Sequence, residues 1–493
     1  MTKPWRRHPV IYEINTAVWL SELSRKYGFQ TTLSNIPDPE WDALARLHVD
    51  AIWLMGVWGR SPKGIAVSNA NAGNLADFHR ALPDFSLSDN IGSPYCIRHY
   101  EVDPRFGGND ALAIARKQLA SRKMQLLLDF VPNHMARDHE WVTEHPDYFI
   151  RGDENDLQSD PVTFTKIDGR VFACGKDPYY PAWQDVLQIN VFHPELRQAI
   201  LQTVSQISSQ CDGIRCDMAM LVMNKIFQRT WGPRAGQVPE EDYWETIIPA
   251  IKSTNPRFIF IAEAYWDLEW ELQQQGFDFC YDKRLYDRLE STDPLSIRQH
   301  LSADIVYQEK LLRFIENHDE PRAASLFDEK QERLMAVISS TLPGARLFYD
   351  GQPEGRKTRL PVFLQRRVDE PCNQELFLFY LKLLNIISLP VFHEGSWQRF
   401  EATGWDDNLT YRNLLCWGWS MDGTMYLVIG NMSVGRSGGR IKPGWKNLQG
   451  SRWRLTDPLN GSSFDRDGNE MLQPGLFVSL DGWEFHLFSF TLS

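Results

Sequence analysis

The sequence predicts an α/β protein: a (β/α)8 barrel with a subdomain inserted after its third strand, followed by a C-terminal antiparallel β-sandwich domain. Three observations predict it. Brief apolar runs alternate with longer segments of helical period between residues 10 and 349, the pattern of a parallel sheet with its crossovers outside. One connection, residues 135–191, is too long for a simple loop and is rich in Asp, Pro, Gly and Tyr (YFIRGDENDLQSDP, ACGKDPYYPAW), so it reads as a small domain over the barrel mouth. From residue 391 the texture changes to short alternating runs (425–429, 476–480, 483–488) between Gly, Asn, Asp and Pro turns, which is an antiparallel pattern.

Taken in order, the strand candidates are 10–15 (VIYEIN), 51–55 (AIWLM), 125–129 (QLLLD), 213–217 (GIRCD), 258–263 (FIFIAE), 277–279 (FDF), 312–316 (LRFIE) and 345–349 (ARLFY). Helices are expected between them, among others over 110–122, 194–209, 243–253 and 329–341. The expected division is therefore a barrel over 1–134 and 192–390, an inserted subdomain over 135–191, and a sandwich domain over 391–493.

Composition narrows the function classes. With 43% apolar and 24% charged residues the chain is an ordinary globular protein. A net charge of −12 argues against nucleic acid or an anionic membrane as partner, since either calls for a basic footprint. The seven cysteines are odd in number and form no CxxC pair, so neither a disulfide framework nor a zinc site is expected. No apolar run is long enough to span a membrane, and no apolar h-region follows the basic start MTKPWRRHPV, so the expected location is the cytoplasm. Aromatic side chains are plentiful; they suit stacking on sugar rings, but a large core uses them as well.

The chemistry concentrates at strand ends, where barrel enzymes place their reactive groups. Arg215 and Asp217 stand two apart on a run too apolar to be a surface strand, so opposite charges project from one face. Asp129, Glu263 and the group Asn317-His318-Asp319 close other runs in the same way. One acid at a strand end is commonly a cap or a turn; several around one barrel mouth point to a site.

Four segments, LLLDFVPNHM (126–135), GIRCDM (213–218), FIAEAYW (260–266) and FIENHDEPR (314–322), resemble in order and position the signature segments of the alpha-amylase family, glycoside hydrolase family 13. SPYCIRHYEVDPRFGG (93–108) is similar to the family's segment around an active-site tyrosine, and LPGARLFYDGQ (342–352) to its eighth strand. The resemblance spans roughly residues 10 to 355. It implies that Asp217 is a nucleophile, Glu263 a general acid/base and Asp319 a transition-state stabiliser. Retaining hydrolysis needs two carboxyl groups about 5–5.5 Å apart, one ionised and one protonated. Arg215 would keep Asp217 charged. The resemblance further implies that His134 and His318 bond sugar hydroxyls, that Tyr95 stacks beneath the sugar, and that Asp129 supports Arg215. Asn133 matches a calcium ligand of many members, with Asp185 the one partner ligand suggested; the chemistry itself requires no cofactor.

The chain departs from the family pattern in places. Met220 and Leu221 stand where Lys and His are common on the leaving-group side, and Tyr265 and Trp266 are expected to supply an aromatic surface there. Arg322 is similar to an arginine that closes the cleft in exo-acting members, and His99 replaces an aspartate. The expected function is retaining hydrolysis of a small α-glucoside: a short malto-oligosaccharide, a disaccharide, or a glucosylated compatible solute such as glucosylglycerol. A transglycosylase or isomerase of the same family is the alternative, and a non-catalytic carbohydrate-binding relative the remote one.

Overall fold

In the computed structural model, residues 5–493 are described; Met1 to Pro4, at the head of the basic N-terminal stretch, lie outside the described residues. The apolar runs form strands β1 (Val10–Asn15), β2 (Ala51–Met55), β3 (Gln125–Phe130), β4 (Gly213–Cys216), β5 (Ile259–Ala262), β6 (Phe279–Tyr281), β7 (Leu311–Arg313) and β8 (Ala345–Tyr349). They pair in parallel in sequence order, and β8 returns to β1 to close the barrel. Every residue of these strands is buried, as a sheet covered on both faces requires. Ile11, Trp53, Leu127, Ile261, Tyr281 and Leu312 belong to one core cluster that fills the barrel. The β4 register sets Arg215 beside Asp129 on one neighbour and Ile261 on the other.

The third, fourth and fifth strands differ from expectation by one residue at an end or at each end, and the sixth and seventh by more. The sixth begins at Phe279, not Phe277, because Gly276 turns the chain at φ +109. There the Asp278 carboxylate accepts from the Phe260 N–H (2.8 Å) and pairs with Lys252 (2.5 Å). The seventh ends at Arg313, because the Glu316 carboxylate accepts from the Ala323 N–H (2.7 Å) and Arg322 (2.7 Å), folding residues 314–322 into a turn whose middle, 319–321, is partly exposed.

Two excursions rise from the C-terminal end of the barrel. Between β3 and β4, strands His134–Ala136, Phe164–Ile167, Arg170–Gly175 and Trp183–Gln188 form a four-stranded antiparallel sheet. Between β2 and β3, an unforeseen excursion pairs Trp58–Arg60 with Ile97–Val102 and carries helices Pro62–Ala70 and Ala72–Ala81. Its sequence signal was present: Ser61 caps the first helix with Pro62 at its start, and Asn71 caps the second.

The C-terminal part is a β-sandwich of a six-stranded and a three-stranded antiparallel sheet, packed around Leu427, Ile429, Ile441, Trp445, Trp453 and Val478. It is keyed to the barrel helix Glu329–Thr341: the Trp417 and Trp419 indoles donate to the Thr341 hydroxyl (3.1 Å) and carbonyl (2.6 Å). Among the described residues, no helix is long and apolar enough to cross a membrane.

Candidate active site

The strand ends bring three carboxyl groups around one guanidinium. Arg215 is 1% exposed; its Nη1 bonds Asp217 Oδ1 at 2.7 Å and its Nη2 pairs with Glu263 Oε2 at 2.8 Å. The i, i+2 relation thus puts Arg215 and Asp217 together, and β5 delivers Glu263 to the other side of the same cation. Aromatic rings enclose Arg215, with Trp53, Tyr95 and Tyr281 at 5.5, 5.1 and 5.6 Å from its centre. That arrangement stabilises a desolvated cation through the ring quadrupoles.

Glu263 is nearly buried, and burial raises its carboxyl to about 7; the charges of Asp217 and Asp319 push the same way, against Arg215. Its Oε1 accepts from the Tyr265 hydroxyl (3.0 Å) and its Oε2 from the Met218 N–H (2.6 Å). Met218 holds φ +42, a left-handed conformation uncommon outside glycine. Backbone strain of this kind persists where surrounding structure enforces it.

Asp319 behaves oppositely. Burial alone would raise it, but His318, Arg215 and Arg359 together pull it well below the usual carboxylate range. His318 lies 3.0 Å from Asp319 Oδ2, 2.6 Å from the Tyr95 hydroxyl and 2.5 Å from Glu13 Oε1. Burial works against its proton, yet Asp319 and Glu13 raise it well above the ordinary histidine value, so it is an imidazolium between two carboxylates. Asp129 stands behind this group, accepting from the Trp53 indole (3.2 Å) and the Gly56 N–H (2.7 Å), and burial raises it to about 6. Glu13, Trp53 and Tyr281 escaped the sequence reading, since each sits inside an apolar strand with no motif to mark it.

The other residues named from the sequence fall in different places. His134 sits at the start of the inserted sheet with its ring 5.3 Å from that of Trp183; burial lowers its pKa. The would-be Cβ of Gly175 lies 3.0 Å from His134 Cβ, so a larger side chain there would displace the histidine. Trp266 (φ +63) and Asp267 (φ +61) are consecutive left-handed residues after Glu263, anchored by the Asp267–Arg284 ion pair. Trp266 meets Tyr179 edge to face at 4.8 Å, and Arg229 donates to the Tyr179 hydroxyl at 3.0 Å. Tyr179, in the DPYYPAW stretch, is a half-exposed partner that an aromatic count alone would not single out.

Three expectations need correction. Arg322 does not close the cleft: it is 1% exposed, bonded to Glu316 (2.7 Å) and the Asp350 carbonyl (3.0 Å), and lies 4.1 Å over the Tyr349 ring. A desolvated guanidinium takes the nearest buried carboxylate, and Glu316 supplies it. On that side of Asp319 lies instead a cavity of about 540 Å³ lined by Asn74, Arg80, Lys357, Thr358 and Arg359. Met220 and Leu221 form no cleft wall either; at 0% and 2% exposure they belong to the hydrophobic core. His99 lies against Gly59, whose would-be Cβ would overlap its ring at 2.1 Å.

The third correction concerns calcium. Asn133 is 1% exposed and committed to Gln188: its Oδ1 and carbonyl accept from Gln188 Nε2 at 3.0 and 2.8 Å, and its Nδ2 donates to Gln188 Oε1 at 3.3 Å. The charge neighbours of Asp185 are His134 and Arg137. Among the described residues no group of three or more His, Cys, Asp or Glu is placed to hold a metal ion. A cation would need the Asn133 oxygens, and the Gln188 amide already engages both, so the residues named from the sequence do not fit calcium.

Comparison with known proteins identifies the family and the fold. A family model described as "Alpha amylase, catalytic domain" matches residues 40–371. Alpha-amylase MalA of Haloarcula japonica is 27% identical over 379 residues, covering 74% of this chain and 47% of that protein. An alpha-1,4-glucan:maltose-1-phosphate maltosyltransferase of Rhodospirillum rubrum is 29% identical over 265 residues (52% and 31%). The chain thus spans about half or less of the length of these two relatives. The maltogenic alpha-amylase AmyB from Thermotoga neapolitana superposes with a TM-score of 0.69 at 20% identity, covering 99% of both chains. The acarbose-complexed alpha-amylase from Geobacillus thermoleovorans gives 0.68 at 17%, again with 99% of both covered.

Proposed function

The chain belongs to the alpha-amylase family, and from that premise we propose that it is a retaining glycoside hydrolase acting on a short α-glucoside, with Asp217 as nucleophile, Glu263 as acid/base and Asp319 as stabiliser. The observation that carries this is the divergence of the carboxyl groups around Arg215: Glu263 is raised to about 7 while Asp319 is held low. Such a split separates an acid from a charge that stays ionised. Arg215 takes Asp217 Oδ1, which leaves Oδ2 to attack the anomeric carbon. As that bond forms, the bond to the leaving oxygen breaks, and Glu263 gives that oxygen its proton. Water then attacks the glycosyl–Asp217 ester, returns a proton to Glu263 and frees the sugar with retained configuration. Asp319, beside the imidazolium of His318, faces the positive charge that develops on the ring.

Support for a small substrate comes from both sides of the site. Beyond Glu263, Trp266 and Tyr179 offer a compact aromatic surface. On the Asp319 side the cavity is of small-molecule size, which favours a short malto-oligosaccharide over a lone glucosyl unit, with Arg359 in the role expected of Arg322. The seven cysteines are all free and all but Cys372 are buried, which supports a cytoplasmic setting. A transfer reaction is the second reading; the Tyr179–Trp266 pair beyond Glu263 is the observation that favours it, since an acceptor sugar can stack there. A substrate panel with product anomers read by NMR tests both. Retained-anomer release from small glucosides supports hydrolysis, and new glycosides formed with an added acceptor support transfer. Strong endo-cleavage of soluble starch with poor turnover of small glucosides overturns the substrate assignment.

A further inference from the structure

Gln188 ends the strand Trp183–Gln188 and stands in register with His134 across the antiparallel ladder. It is 0% exposed. Three oxygens converge on its side-chain nitrogen: the Asn133 carbonyl at 2.8 Å, Asn133 Oδ1 at 3.0 Å and the Ile189 carbonyl at 3.1 Å. Its side-chain oxygen in turn accepts from Asn133 Nδ2 (3.3 Å) and the Lys176 N–H (3.4 Å). Three oxygens drawn to one buried point from the end of β3 and from the inserted sheet form the kind of nest a hard cation occupies. Here the occupant is an amide NH2, whose partial positive charge and two protons satisfy those oxygens without an ion.

We propose that Gln188 is a built-in surrogate for a metal ion, clasping the inserted sheet to the barrel and positioning His134 through Asn133 in a metal-independent enzyme. Asn133 Nδ2 lies 3.4 Å from His134 Nδ1, and the Ile189 N–H donates to the Asn133 carbonyl at 3.3 Å. The backbone that carries His134 is therefore held from both sides of Gln188. Amide donors of this kind orient the groups that touch substrate much as outer-shell ligands do around metals.

Calorimetry of the unmodified chain in EDTA and in millimolar calcium is expected to give the same melting temperature. A fall of several degrees in EDTA that calcium reverses would overturn the proposal. Gln188→Glu sets an oxygen against three oxygens, so its melting temperature is expected to drop at pH 8 and to recover with calcium; indifference to calcium would overturn the surrogate assignment. Gln188→Ala, assayed well below its own melting point, is expected to lose about 10-fold in kcat/KM, mostly in kcat, and an unchanged kcat would overturn the positioning role. Should either variant fail to fold, the calorimetry of the unmodified chain still decides. Only the kinetic arm uses the reaction proposed above; failure of that reaction shows as an inactive unmodified enzyme and leaves the melting result standing.

Discussion

His318, at the C-terminal end of the barrel, and His8, at the opposite end, are both almost fully buried, at 2% and 1% exposure, yet they carry opposite charge states. His318 lies between Glu13 and Asp319 and is held protonated well above the ordinary histidine range. His8 accepts the Gly344 N–H on Nδ1 at 3.0 Å, which fixes it neutral. Burial first, and the positive Arg346 next, lower it to about 2. His393 beside it is lowered to about 2 for the same reasons. Burial disfavours the charged form in both places; the sign of the neighbouring charges decides the outcome. One end of the barrel is thus built from paired ions around a cleft, the other from neutral imidazoles bonded to backbone.

Substitutions at the two ends should separate these uses. The largest effect is expected for Asp217→Asn or Glu263→Gln, which should lower kcat by on the order of 10⁴-fold; retention of activity would dismiss the catalytic assignment. His318→Gln comes next. It leaves Glu13 buried without its cation, so stability should fall by about 3–5 kcal/mol in denaturant titration, and kcat should fall with it. The third effect is in the pH profile. Glu263 must be protonated to act as acid, so kcat/KM should decline above about pH 7, and Glu263→Gln should abolish that limb along with the activity. The smallest concerns the opposite end. His8 binds a proton in the unfolded chain below about pH 6.5 but not in the folded one until about pH 2. Its contribution to stability is therefore present above that unfolded value and is lost as pH falls from 6.5 toward 2, with a slope of about 1.4 kcal/mol per pH unit. His8→Gln should flatten this acid slope in thermal melts and leave kcat near neutral pH unchanged; an undiminished slope would refute the neutral-histidine account.

Much of the framework was legible because local patterning carries it. The eight strands could be placed from apolar runs alone; β3, β4 and β5 differ by single end residues, and the larger shifts fall where side chains redirect the backbone, Asp278 before β6 and Glu316 after β7. Asp217 and Glu263 were legible because charge beside an apolar strand end is costly and so conspicuous; Asp319, six residues beyond the end of β7, was legible through the resemblance of its segment to the family. Glu13, Tyr281, Tyr179 and Arg359 were not, because nothing in their neighbourhoods along the chain distinguishes them.

The sequence by itself determined the strand period, the order of the acids around the barrel mouth, and the pairing of Arg215 with Asp217, since an i, i+2 spacing on a strand leaves no other choice of face. Only the tertiary structure decided which partners the other charged and polar groups meet. Arg322 was drawn to Glu316, and Arg359 was left facing Asp319. Asn133 was matched to Gln188, 55 residues away. Met220 and Leu221 were turned into the core. Those outcomes depend on which groups become buried together, and burial is a property of the packed chain, not of any segment of it.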